Sequence, residues 1–129
     1  MARNEVYKDA DYLSLPVPVG TASGAPVRVG GLNGVAQTAE PTAFLTGKNY
    51  EVEDASSNRP GFASIALKGA WRIPVATATT LVVGDPVYIV LASNTLTTTS
   101  ATGVNPLFGH ALSAKPATAG ALVIVRITN

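Results

Sequence analysis

Along the chain, short apolar runs alternate with polar positions and are broken by Gly or Pro every few residues. That punctuation leaves no stretch with three clean helical turns. The pattern predicts strands at Pro26–Gly30, Leu32–Gln37, Ala63–Lys68, Ala70–Val75, Val87–Leu91, Leu96–Thr99, Leu107–Ser113 and Leu122–Thr128. In the last of these, Val123, Val125 and Ile127 share one face, which is core. Leu122, Ile124, Arg126 and Thr128 share the other, which is apolar at its start and is a second candidate for burial. Short strands with close turn signals read as a small barrel or sandwich, all-β with little helix. The stretch Tyr50–Gly61 is polar and turn-rich, the best candidate for a long exposed loop. Thr95 to Gly103 reads as a Thr/Ser-rich hairpin tip.

The chain echoes itself. Gly24-Ala25-Pro26-Val27-Arg28-Val29 returns as Gly84-Asp85-Pro86-Val87-Tyr88-Ile89. Leu15-Pro16-Val17 before the first copy matches Ile73-Pro74-Val75 before the second, and Gly34-Val35-Ala36 matches Gly109-His110-Ala111. Each copy then ends in an apolar strand. Gly-x-Pro-Val is a turn into a strand: Gly24 and Gly84 are free to take positive φ, and Pro26 and Pro86 belong at a strand's first residue because they lack a donor. The expectation is one β domain over residues 13–129, with related halves 13–70 and 71–129, after an extended arm, residues 1–12. Pro26 and Pro86 should open equivalent strands.

Composition fits a β protein: 15 Val and 14 Thr, with few Glu or Lys. At 129 residues the chain suits one domain with a core that needs no staples, and the absence of Cys excludes disulfides and thiolate chemistry. A net charge of +1 argues against a nucleic-acid binder. The longest apolar run, Val87 to Ala92, is far short of a membrane span, and Met1–Glu5 begins with charge and no apolar core, unlike a signal peptide. Only 13% of residues are charged, about half the usual share, so apolar surface must be hidden by self-association or docking. The charges are also split. Residues 1–54 hold seven acids and four bases, whereas residues 55–129 hold Asp85 against Arg59, Lys68, Arg72, Lys115 and Arg126. Such a split suits head-to-tail packing or an oriented seat on a partner, and chance is the other account in so few charges.

The search for chemistry ends empty. Ser23 sits one place late for a Gly-x-Ser-x-Gly elbow, and Gly47-Lys48-Asn49 lacks the rest of a phosphate loop. Asp9-x-Asp11 lacks the remainder of a calcium loop, and Gly30-Gly31-Leu32-Asn33-Gly34 leads into a strand, so it reads as a hairpin turn. The lone His110, mid-strand, is a structural residue. No catalytic residue, metal or other cofactor is expected. Trp71 beside Arg72 is either core or an interface anchor. The aromatics are not interleaved with bases, which leaves a nucleic-acid stacking platform unsupported. The arm holds Glu5, Asp9 and Asp11 against Arg3 and Lys8, with Val6, Tyr7 and Tyr12 as its apolar residues. It cannot fold alone. Strand addition to a neighbouring chain, anchored by Val6 and Tyr7, is one expectation; lying on its own barrel is the other.

In order, Ser23–Ala36, Ile65–Pro74, Val83–Tyr88 followed by Leu96-Thr97-Thr98 and Leu107–Leu112, and Val123–Ile127 resemble the successive blocks of the tailed-bacteriophage capsid cement (head-decoration) proteins. The resemblance covers about residues 12–129. The chain departs from that pattern in its polar insert Tyr50–Gly61 and in Phe108 before Gly109, where the family places an aliphatic residue. The resemblance implies a β-barrel or β-tulip-like sandwich on the outside of an expanded icosahedral capsid in the virion. It implies a trimer that bridges capsomers, holds the shell against packaged DNA, and has the major capsid protein as partner, without direct nucleic-acid or membrane contact. The candidate capsid or self-interface residues are Arg3, Val6, Tyr7, Tyr12, Tyr50, Arg59, Trp71 and Arg72. A different reading is a small β-module that binds carbohydrate or a host surface; a platform of surface aromatics would favour it.

Overall fold

The structure is a computed structural model that describes residues 10–40 and 60–129. These residues form nine strands and no helix: β1 (Tyr12–Pro16), β2 (Pro26–Val29), β3 (Leu32–Ala36), β4 (Phe62–Ala66), β5 (Ala70–Val75), β6 (Pro86–Val90), β7 (Thr95–Thr97), β8 (Leu107–Ala111) and β9 (Ala121–Ile127). The first four make a sheet in the order β1-β4-β3-β2, and the last five close into a barrel in the order β5-β7-β6-β8-β9. Most strand ends shift by a residue or two from the sequence expectation. β1 is an addition to it: Tyr12 opens a strand, and the Asp11 carbonyl accepts from Leu67 N–H at 2.7 Å, so pairing reaches into the stretch expected to be a free arm.

The two sheets repeat one pattern of hydrogen bonds. Pro26 and Pro86 each open their strand. Gly24 (φ 85°) and Gly84 (φ 97°) precede them in the left-handed region, where a side chain would be strained. Gly24 N–H donates to Ala36 O and Gly84 N–H to Ala111 O, both at 2.7 Å. Ala36 N–H returns to Ala25 O at 2.9 Å and Ala111 N–H to Asp85 O at 2.8 Å. The register continues across the sheets. Val27↔Gly34 corresponds to Val87↔Gly109, Ala36↔Ile65 to Ala111↔Val125, and Pro16↔Phe62 to Pro74↔Leu122. Thus β1, β2, β3 and β4 match β5, β6, β8 and β9.

The fifth barrel strand has no counterpart. In the first half a tight turn at Gly30-Gly31 joins β2 directly to β3. In the second, the chain between β6 and β8 makes β7, which pairs antiparallel with β6 and parallel with β5 and so closes the barrel. The cores follow suit. The barrel buries Ile73, Val75, Val87, Ile89, Leu96, Phe108, Val123 and Val125. The first sheet buries Val27, Ala36, Ala63 and Ile65, with Leu15, Val17 and Leu67 only partly covered.

An amide clasp joins the halves. Asn33, 3% exposed, donates from Nδ2 to Leu107 O (2.9 Å) and Thr128 O (2.8 Å), while Arg28 donates to its Oδ1 at 2.6 Å. Asn129 Nδ2 donates to Asn33 O and Leu67 O, and Asn129 Oδ1 accepts from Asn33 N–H. Val35 of β3 packs into the barrel core. Two buried charges occupy matching places after β3 and β8. Glu40 accepts from Gly20 N–H (3.1 Å) and Gly61 N–H (2.6 Å); Lys115 donates to the carbonyls of Thr79, Pro116 and Thr118 at 2.9–3.0 Å. Each ion thus stitches its loops through charge-assisted bonds to backbone, with opposite polarity in the two halves.

Candidate docking surface

Alternation along β9 sends Val123, Val125 and Ile127 into the barrel and leaves Leu122, Ile124 and Arg126 on its outer side. Antiparallel pairing with β5 sets Pro74 against Leu122, Arg72 against Ile124 and Ala70 against Arg126. On the other flank His110 faces Arg126, and Leu112, just past β8, donates its N–H to Ile124 O at 2.7 Å. The result is one outer face with an apolar end and a cationic end. Leu122 is 57% exposed, Leu112 44% and Ile124 half-buried. The expectation that this second face of β9 is buried therefore fails within the chain: the barrel closes on its other side and covers nothing here.

The electrostatics of the face follow from where the other charges go. Of the bases in the second half, Lys115 is buried in its loop and Lys68 pairs with Asp11 at 2.6 Å. The one acid there, Asp85, accepts from Val82 N–H inside the Gly84 turn. Arg72 and Arg126 are both exposed, and no acid among the described residues pairs with either. The charge split therefore reduces, among the described residues, to two cations beside an apolar strip. An ordinary solvated strand face would carry mixed charges or Thr; this one offers Leu, Ile and Pro with guanidinium, a composition favoured at protein interfaces.

The sequence candidates fall in three groups. Arg72 lies on this face. Trp71, on the same strand, points the other way: half-buried, it packs against the barrel core and donates Nε1–H to Lys68 O at 3.0 Å. Tyr12 is 58% exposed at the start of β1, away from Arg72 in the other sheet. Arg3, Val6, Tyr7, Tyr50 and Arg59 lie outside the described residues, as does most of the Tyr50–Gly61 loop. Gly24, Pro26, Gly84, Asp85 and Pro86 form the two matched turns. Leu122 and Arg126 join the face from β9, where the mixed second side of the strand is their signal in the sequence; Leu112, just past β8, has no such signal.

Among the described residues no group of three or more His, Asp or Glu is placed to hold a metal. His110 Nδ1 lies 3.2 Å from Thr128 Oγ1. Tyr12 is the one strongly exposed aromatic of the described residues, so they contain no aromatic platform.

A family model described as phage cement protein matches residues 7–127 of the chain. No curated protein and no solved structure matches it.

Proposed function

Since the chain belongs to the phage cement protein family, with the capsid-associated structural role that membership carries, we propose that it seats on the outside of an expanded icosahedral shell and bridges neighbouring capsomers of the major capsid protein. The outer face of β5 and β9 is the seat. Leu122, Ile124, Leu112 and Pro74 supply apolar area, and Arg72 and Arg126 supply charge that orients the protein on an acidic patch of the shell. The single observation that carries this reading is an exposed apolar strip beside two guanidinium groups without an acidic partner among the described residues, whose other charges are bonded within the fold. The bridged shell resists the pressure of packaged DNA because separating capsomers then requires breaking these contacts as well. A trimer gives such a bridge several seats at once, and simultaneous engagement raises avidity without new contacts.

The double variant Arg72→Glu with Leu122→Asp tests the seat. Both side chains are exposed, so the melting transition should stay within about 0.5 kcal/mol of the parent. Binding to expanded shells should fall at least tenfold, about 1.4 kcal/mol. Unchanged decoration by a folded double variant would place the seat elsewhere.

A further inference from the structure

The two halves match strand for strand except at one place. In the barrel, β7 lies between β5 and β6, with Leu96 buried opposite Ile89 and Val75. In the first sheet the corresponding place, between β1 and β2, holds no strand among the described residues: β1 and β2 do not pair with each other, and the sheet stays open. The side chains that β7 would cover are Leu15, Val17 and Val29, the counterparts of Ile73, Val75 and Ile89. The barrel residues are fully buried, whereas the first-half residues are only partly so. A cleft of about 310 Å³ opens at one end of this gap, between Pro18–Thr21 and Pro26-Val27, with the β6–β7 turn at Ser93-Asn94 as its third wall.

We propose that this gap takes residues 5–7 of a second copy of the chain as a tenth strand, completing the first half as β7 completes the second. The requirement is modest: β7 is a three-residue strand that places one apolar side chain inward, Leu96 between Thr95 and Thr97. Glu5-Val6-Tyr7 offers the same pattern, with Val6 in the place of Leu96. In the register of β7, Val6 then faces Val29, Tyr7 lies opposite Arg28 and Glu5 opposite Gly30. Polarity selects a second copy over the chain's own arm. β7 runs parallel to β5, so its counterpart runs parallel to β1. The chain's own residues 5–7 lead directly into β1, and folded back into the gap they would run antiparallel to it. Val6 is five residues from Asp11, a reach of at most roughly 18 Å, so the sheets of the two copies lie side by side. Main-chain hydrogen bonds supply affinity and the Val6 pocket supplies register, the logic of strand addition at a sheet edge.

The chain has no Cys, which makes cross-linking clean. Ile89 sends its N–H to Pro106 O in the other direction, so Ile89↔Leu96 is a non-hydrogen-bonded pair, the close geometry a disulfide spans. Full-length Val6→Cys and Val29→Cys chains, mixed without any capsid and oxidised, should give at least tenfold more disulfide dimer than Val6→Cys mixed with Val83→Cys, whose residue is exposed elsewhere. Yield no higher than that control overturns the proposal. So does the doubly substituted chain if it closes an internal disulfide and runs as a monomer, since the arm then serves its own sheet. Val6→Asp in the full chain, with an unchanged melting transition confirming that the fold is intact, should shift sedimentation toward the monomer; an unchanged sedimentation profile overturns the proposal independently of the cysteines. Because no shell is present, these results stand apart from whether the chain decorates capsids.

Discussion

Replacing Gly109 by alanine is expected to destabilise the protein by about 3 kcal/mol, the upper range for forcing volume into a packed interior. Gly109 sits on β8 beside β9, paired with Ile127, and a Cβ there would overlap the Arg126 carbonyl oxygen and crowd Val125 Cγ1 at 3.1 Å. Neither neighbour can give way freely, because the Arg126 carbonyl belongs to the barrel ladder. Gly34, at the matching place in the first half, is closed off in the same manner by Ile65 Cγ2 and the Ala66 carbonyl. Gly31, with nothing near it, is the control: Gly31→Ala should change stability by no more than about 0.5 kcal/mol. Chemical denaturation of the two variants checks the pair. Equal midpoints would mean that β8 and β9 do not pair in this register.

Lys115→Ala should be the second severe change, about 3 kcal/mol. In a site 2% exposed, the ammonium is the donor to Thr79 O and a second donor to Pro116 O and Thr118 O, which also accept from Thr118 N–H and Ala121 N–H. Leaving Thr79 O unpaired costs about 1–3 kcal/mol, and the loss of two charge-assisted bonds to carbonyls that keep a backbone donor adds to it. Lys115→Met separates volume from hydrogen bonding: it refills the space and should recover only a minor part of the loss. Thermal melting of both variants reads the difference, and a Lys115→Ala protein as stable as the parent would show that the loop holds itself.

These two residues mark where sequence reasoning stops. The duplication was legible because it is written in local chemistry. A Gly-x-Pro-Val turn must place Gly in the left-handed region and Pro at a strand start, and that happened twice. The register of Leu15-Pro16-Val17 against Ile73-Pro74-Val75 was legible for the same reason. The closure was not. A strand at Leu96–Thr99 is readable from the pattern, within a residue or two of β7, but nothing local says that it pairs in parallel with β5 to shut a barrel while the first half stays open. Nor could Asn33 and Asn129, 96 residues apart, announce that the side-chain amide of one meets the backbone of the other. Burial of Lys115 depends on carbonyls gathered from both sides of it, a property of the fold and not of any motif. The docking face was half legible: the mixed outer side of β9 raised the question of cover, but its solvent exposure follows from which side the barrel closes on.

The central claim is that this protein binds and braces a capsid surface. Purified protein mixed with expanded shells that lack it, then imaged by cryo-electron microscopy, tests that claim most directly. The account predicts ordered density on the outer surface between capsomers, with β5 and β9 turned toward the shell and the decorated particles surviving heating that opens bare ones. Shells that emerge bare at saturating protein, or density confined to the inner surface, would contradict it.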